Sequence, residues 1–129
     1  MSHTQNHVVI ALARTVIGVD AERSADLLSA ELVKLIAEHP YEADWARGCA
    51  NRPMQLWLAK EARFKAAADY CASFDPQSIS VRDEISWIGG IRFERVLGLQ
   101  IAIYIGSNYP SNNPENLGQR PGKIARLKP

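Results

Sequence analysis

Residues 96–105 read Val-Leu-Gly-Leu-Gln-Ile-Ala-Ile-Tyr-Ile, and the fold turns on them. Leu97, Leu99, Ile101, Ile103 and Ile105 fall on one side of an extended chain, with Val96, Gly98, Gln100, Ala102 and Tyr104 on the other. Successive side chains of a strand point to opposite faces, so a run apolar on nearly both sides predicts a central strand buried on both. A short buried helix is the competing reading of the same run. Just upstream, Ile79 and Val81 alternate with polar neighbours, and Gly89-Gly90 makes a break before Ile91 and Phe93. Strands are therefore expected across 79–105.

Ahead of this region the signals are helical. Residues 53–73 open with Pro53 at a first-turn position and are rich in strong helix formers, among them Ala59, Lys60, Glu61, Ala62 and Ala66 to Ala68. Trp57, Phe64, Ala68 and Cys71 are expected on one face, with Lys60, Arg63 and Lys65 toward solvent. Asp20 is a good N-cap for a helix in which Leu28, Leu32, Leu35 and Ile36 recur at helical spacing until Pro40 stops it. Residues 41–47 look like a short helical turn closed by Gly48, and Asp75-Pro76-Gln77-Ser78 like a turn. Residues 5–17 are ambiguous, because their β-branched richness suggests a strand whereas their length and central Ala-Leu-Ala suggest a buried helix. Asn6 as a cap and Gly18 as a stop favour the helix.

Together these segments predict an α+β fold, with helices from the first 73 residues packed on a small sheet from 79–105. At 129 residues, 47% hydrophobic and 22% charged, the chain can build one hydrophobic core, expected in residues 1–106. Residues 107–129 carry Pro110, Pro114 and Pro121 among Asn and Gly and are expected to be a loop and tail without regular structure. The formal net charge of +1 hides an asymmetry, since Arg120, Lys123, Arg126 and Lys128 fall in the last ten residues with no acid among them. The remaining body is slightly acidic, which argues against a basic nucleic-acid-binding face on the folded part.

Two cysteines, Cys49 and Cys71, are too few for a secreted disulfide framework and read as two buried free thiols, with a single bridge as the alternative. The apolar run from Val8 to Val19 lacks a basic leader and contains Arg14, so it does not read as a signal peptide, and it falls short of the ~20 residues that span a bilayer. A cytoplasmic protein is expected.

The chemistry-bearing residues form no recognised motif: the chain has no phosphate loop, no Cys-x-x-Cys, no His-Glu-x-x-His and no Gly-x-Ser-x-Gly. No cofactor and no metal site is implied. His3 and His7 would share a face if helical, but no third ligand lies near them in sequence. His39, amid Glu38, Glu42 and Asp44, reads as a residue favoured at a helix C-terminus. Asp83 and Glu84 would point to opposite faces of a strand. Cys71 would be a nucleophile only if something depressed its pKa, and its place on an apolar helical face suggests burial.

Residues 58–71, Leu-Ala-Lys-Glu-Ala-Arg-Phe-Lys-Ala-Ala-Ala-Asp-Tyr-Cys, and the later Asn113-Pro114-Glu115-Asn116-Leu117 resemble the CAP superfamily of cysteine-rich secretory and pathogenesis-related proteins. That family shows a Leu-Ala-x-x-Ala helix followed downstream by a Glu-Asn-Leu or Glu-Asn-Ile loop, and the resemblance would cover roughly residues 24–120. It implies an α-β-α sandwich with a cleft lined by two histidines and two acids, and Glu115 stands where one of those acids would be. The sequence departs from the family in having no histidine across 72–82, where one is supplied, so the cleft histidines are lacking.

The function expected from these features is non-enzymatic binding of another protein, of the inhibitor, immunity or adaptor kind, with Tyr104, Tyr109, Asn112, Asn113 and Glu115 as the partner-facing residues. A homodimer through the sheet is a further expectation. The alternatives are a degenerate CAP-like domain or small hydrolase using His39, Asp83 and Glu115, and weak nucleic-acid binding through Arg120, Lys123, Arg126 and Lys128.

Overall fold

A computed structural model describes residues 1–4, 6–67, 73–86 and 90–106. Among the described residues are five strands, β1 (Ser2–Thr4), β2 (His7–Val9), β3 (Ile17–Arg23), β4 (Ile91–Val96) and β5 (Leu99–Ile105). The α-helices among them are α1 (Val33–Ile36), α2 (Pro40–Ala46), α3 (Arg52–Ala66) and α4 (Arg82–Ser86), with 3-10 turns at Ala30–Leu32 and Pro76–Ser78. The class is α+β, with two small antiparallel sheets.

β5 lies at the centre of a three-stranded sheet of order β3-β5-β4. Its pairing with β3 runs from Ile17 opposite Ile105 to Arg23 opposite Leu99, and with β4 from Ile91 opposite Tyr104 to Val96 opposite Leu99. Leu99, Gln100, Ile101 and Ala102 are buried, as the expectation of a central strand requires. The strand begins two residues later than its sequence pattern, because Leu97 and Gly98 turn the β4–β5 hairpin with φ of 53° and 76°. Two central residues at positive φ give the twist that suits a two-residue hairpin loop.

The register sorts the sheet into two faces. Gly18, Asp20 and Glu22 share a face with Gln100, Ala102 and Tyr104 and with Ile91, Phe93 and Arg95. Helix α3 covers this face, burying Met54, Leu58 and Ala62 against Ala102. The approach is close at Gly18, where a Cβ would stand 1.9 Å from the Ala62 carbonyl oxygen. On the opposite face Val19, Ala21, Leu99 and Ile101 form a second apolar cluster, against which Val9 and Ala11 pack. A third cluster, Val33, Ile36, Ala46, Leu56, Ala59 and Val81, joins α1, α2 and α3.

Several local expectations are corrected. Residues 6–17 form no helix: β2, a stretch without regular structure that bends at Arg14-Thr15, and the start of β3 occupy them. Ile17–Arg23 supplies the partner that β5 needs on its far side, and long-range pairing of β-branched residues outweighs local helix signals. Asp20 is accordingly a strand residue rather than a helix cap. The helix expected from Asp20 to His39 shrinks to the Ala30–Leu32 turn and α1, with Val33 and Ile36 buried and Leu35 exposed. Ile79 and Val81 lie outside any strand, and Asp83 and Glu84 fall in α4. Cys49 is free and exposed rather than buried, and Cys71 lies outside the described residues.

Candidate functional site

The residues singled out in the sequence do not converge among the described elements. His39 caps the N-terminus of α2, its Nδ1 accepting from the Tyr41 amide at 3.0 Å, in place of the expected role at a helix C-terminus. Asp83 sits exposed in the first turn of α4, 3.6 Å from Arg82. Tyr104 is half-buried on β5 with the Arg63 guanidinium 5.7 Å from its ring centroid. His3 and His7 lie on adjacent strands, where Thr4 opposes His7 and His3 opposes Val8, so the helical spacing argument does not apply. No group of three His, Cys, Asp or Glu side chains among the described residues is arranged to hold a metal ion. Tyr109, Asn112, Asn113, Glu115, Arg120, Lys123, Arg126 and Lys128 lie outside the described residues.

Two charged networks organise the interior instead. In the first, Lys60 of α3 and Glu42 of α2 form a 2.7 Å ion pair with both side chains fully enclosed. Lys60 Nζ also donates to the carbonyls of Pro76, at 2.9 Å, and Ile79, so its three protons are all used. Glu42 Oε1 accepts from the Glu38 amide at 2.8 Å and Oε2 from the Val81 amide at 2.7 Å. Burial pulls the Lys60 ammonium below the ordinary lysine range, and the Glu42 carboxylate opposes that pull. A lysine with no free proton and no exposed surface is not available to a substrate. The network ties two helices to the loop before α4.

The second network fixes the outer edge of the sheet. β3 is the edge strand beyond β5, and β1 lies along its open side. Ser2 Oγ accepts from the Ala21 amide at 3.1 Å and donates to Asp20 Oδ1 at 3.0 Å, while Lys65 of α3 reaches the same oxygen at 2.8 Å. The N-terminal hairpin is thereby clasped to the sheet through a buried serine and a buried aspartate. Around this clasp the carboxyls of Glu22 and Glu61 are held above their ordinary range, chiefly by burial and then by the charge on Asp20.

What the clasp positions is a row of apolar side chains. From Val8 to Leu12 exposure alternates: Val9 and Ala11 turn inward onto the second cluster, whereas Val8 and Ile10 are each 64% and Leu12 84% exposed. Val16 adds to the exposed set where the segment enters β3. Among the described residues β2 pairs only with β1, and its other edge has no strand partner among them. Sequence reasoning assigned this stretch to a helix and missed the row; the β-branched pair Val8-Val9 followed by alternation was the available signal.

Comparison of the chain with protein-family models, with curated proteins and with solved structures finds no match.

Proposed function

We propose that this chain is a small non-enzymatic protein that works by binding another protein, and that the partner lays an extended segment along β2 and the residues that follow it. The observation that carries the reading is the outward row Val8, Ile10 and Leu12 beside a strand edge that has no partner among the described residues. Backbone pairing at such an edge supplies affinity, and side chains at alternate positions supply specificity. The clasp through Ser2, Asp20 and Lys65 supports the same reading, because it fixes the edge before a partner arrives and so lowers the ordering cost of association. A cytoplasmic setting is consistent with the cysteine usage, and no described helix is long and apolar enough to cross a membrane.

The test compares the wild-type chain with an Ile10→Ser/Leu12→Ser variant, each affinity-purified from the native host under mild conditions. Both positions are exposed, so the variant should keep the wild-type circular dichroism and melting temperature. The expected result is a stoichiometric partner that accompanies the wild type and is lost from the variant; equal recovery overturns the reading. A second copy of the chain as the partner would appear as a wild-type dimer in light scattering that the variant lacks.

A further inference from the structure

β4 is the second edge of the three-stranded sheet, and no strand among the described residues pairs with it on the side away from β5. Which of its backbone groups face that side follows from the register. The Ile105 amide donates to the Gly90 carbonyl, so Gly90 and Ile105 form a hydrogen-bonded pair. Such pairs alternate along an antiparallel ladder, which places the next ones at Arg92 with Ile103, Glu94 with Ile101 and Val96 with Leu99. The N–H and C=O groups of Ile91, Phe93 and Arg95 therefore point away from β5.

The side chains of this edge do not guard it against pairing with its own kind. A row of like charges would repel a second strand. β4 instead carries Arg92 and Glu94, of opposite sign and half-exposed, on the face away from α3. Within one chain Arg92 Nε donates to Glu94 Oε1 at 2.7 Å. That bond leaves the Nη groups of Arg92 and Oε2 of Glu94 without a partner among the described residues. Each side chain thus keeps one hydrogen-bonding edge for a second ion pair.

We propose that two copies of the chain associate here: β4 pairs antiparallel with β4 of a second copy about a two-fold axis at Phe93, joining the two three-stranded sheets. The allowed registers are those that bring outward-facing backbone groups together. Centring on Phe93 pairs Ile91 with Arg95 of the second copy and sets Arg92 opposite its Glu94, and Glu94 opposite its Arg92. The neighbouring allowed registers set Arg92 on Arg92 or Glu94 on Glu94, and like charges directly opposite are destabilising. Charge therefore selects the one register in which the strand is complementary to itself, as a two-fold interface requires. The axis stands perpendicular to the joined sheet, so both α3 helices lie on one side and both clusters around Val19 and Ile101 on the other. The paired span is short, which puts the interface in the small, concentration-dependent class.

Sedimentation equilibrium of the full chain over about 1–500 µM should show a monomer–dimer equilibrium with a dissociation constant of about 10–100 µM. Arg92→Glu and Glu94→Arg, each alone, should weaken it about tenfold, because each sets like charges opposite one another on both sides of the axis. An equimolar mixture of the two variants should recover the wild-type affinity as a heterodimer: every cross-strand pair is again of opposite sign, although the pair inside each chain stays broken. The exchange Arg92→Glu/Glu94→Arg within one chain should recover it too. Both positions are half-exposed, so circular dichroism should not change. Ile10→Ser/Leu12→Ser should leave this dimer intact, which separates the β4 edge from the β2 edge. The proposal is overturned by a wild type that stays monomeric up to about 500 µM, by single variants that dimerise as the wild type does, by a mixture that forms no heterodimer, or by loss of the dimer in the Ile10/Leu12 variant.

Discussion

Lys60 Nζ stands 2.7 Å from Glu42 Oε1 with neither side chain exposed, and between them the two groups satisfy two backbone amides and two backbone carbonyls. Removing one member leaves a buried charge without its partner, which costs about 3–5 kcal/mol. Lys60→Met should therefore lower stability by that amount in urea unfolding. In a Glu42→Gln background the same substitution should cost about 1–3 kcal/mol less, because no carboxylate is then stranded. Additive losses would mean that the pair is not coupled.

Gly18 carries the closest approach between strand and helix. An added Cβ would meet the Ala62 carbonyl oxygen at 1.9 Å and the Ala66 nitrogen at 2.7 Å, both backbone atoms of α3 that no rotamer change can move aside. Gly18→Ala should destabilise by about 3 kcal/mol through overpacking, read as a drop in melting temperature. A neutral substitution would show that α3 is not seated on β3 as described.

Leu97 turns the β4–β5 hairpin at φ 53° with its side chain 80% exposed. A leucine there gains little from packing and bears the steric cost of left-handed backbone, whereas asparagine tolerates that region and favours two-residue hairpin loops. Leu97→Asn should raise stability by about 1 kcal/mol, and a loss of stability by the same assay would contradict the turn geometry.

Glu61 supplies the pH dependence. Its carboxyl is held above the ordinary value by burial first and by Asp20 and Glu22 next, with Lys65 opposing. The folded state thus binds the proton more tightly than the unfolded chain, so this contribution to stability is complete below about pH 4.5 and is lost as pH rises through the folded value. Glu61→Gln escapes that loss. Its melting temperature should exceed the wild type's near pH 7, and the advantage should shrink by about pH 4; an advantage unchanged by pH would exclude this origin.

The sequence carried the elements whose evidence is local and repetitive. The run ending at Ile105 announces a central strand, and Pro53 with the alanine-rich stretch announces α3. What escaped depends on distant partners. Ile17–Arg23 is a strand because β5 needs a neighbour, a fact no window around Asp20 contains. Lys60 looks like a solvated helix lysine until Glu42 and the carbonyls of Pro76 and Ile79 are brought to it, although its spacing of four from Leu56 and one from Ala59 does put it on the buried side. The candidate edge was hidden for a related reason. Val8, Ile10 and Leu12 alternate with Val9 and Ala11, yet the central Ala-Leu-Ala suits a helix equally well, and only the clasp to Asp20 decides between them.

The binding account is tested most directly by placing a photo-crosslinking amino acid at Leu12 and, separately, at Leu35, which is exposed on α1, and irradiating cells of the native host. The account predicts one discrete crosslinked protein from position 12 and none from position 35. No crosslink at position 12, or the same products from both positions, would contradict it.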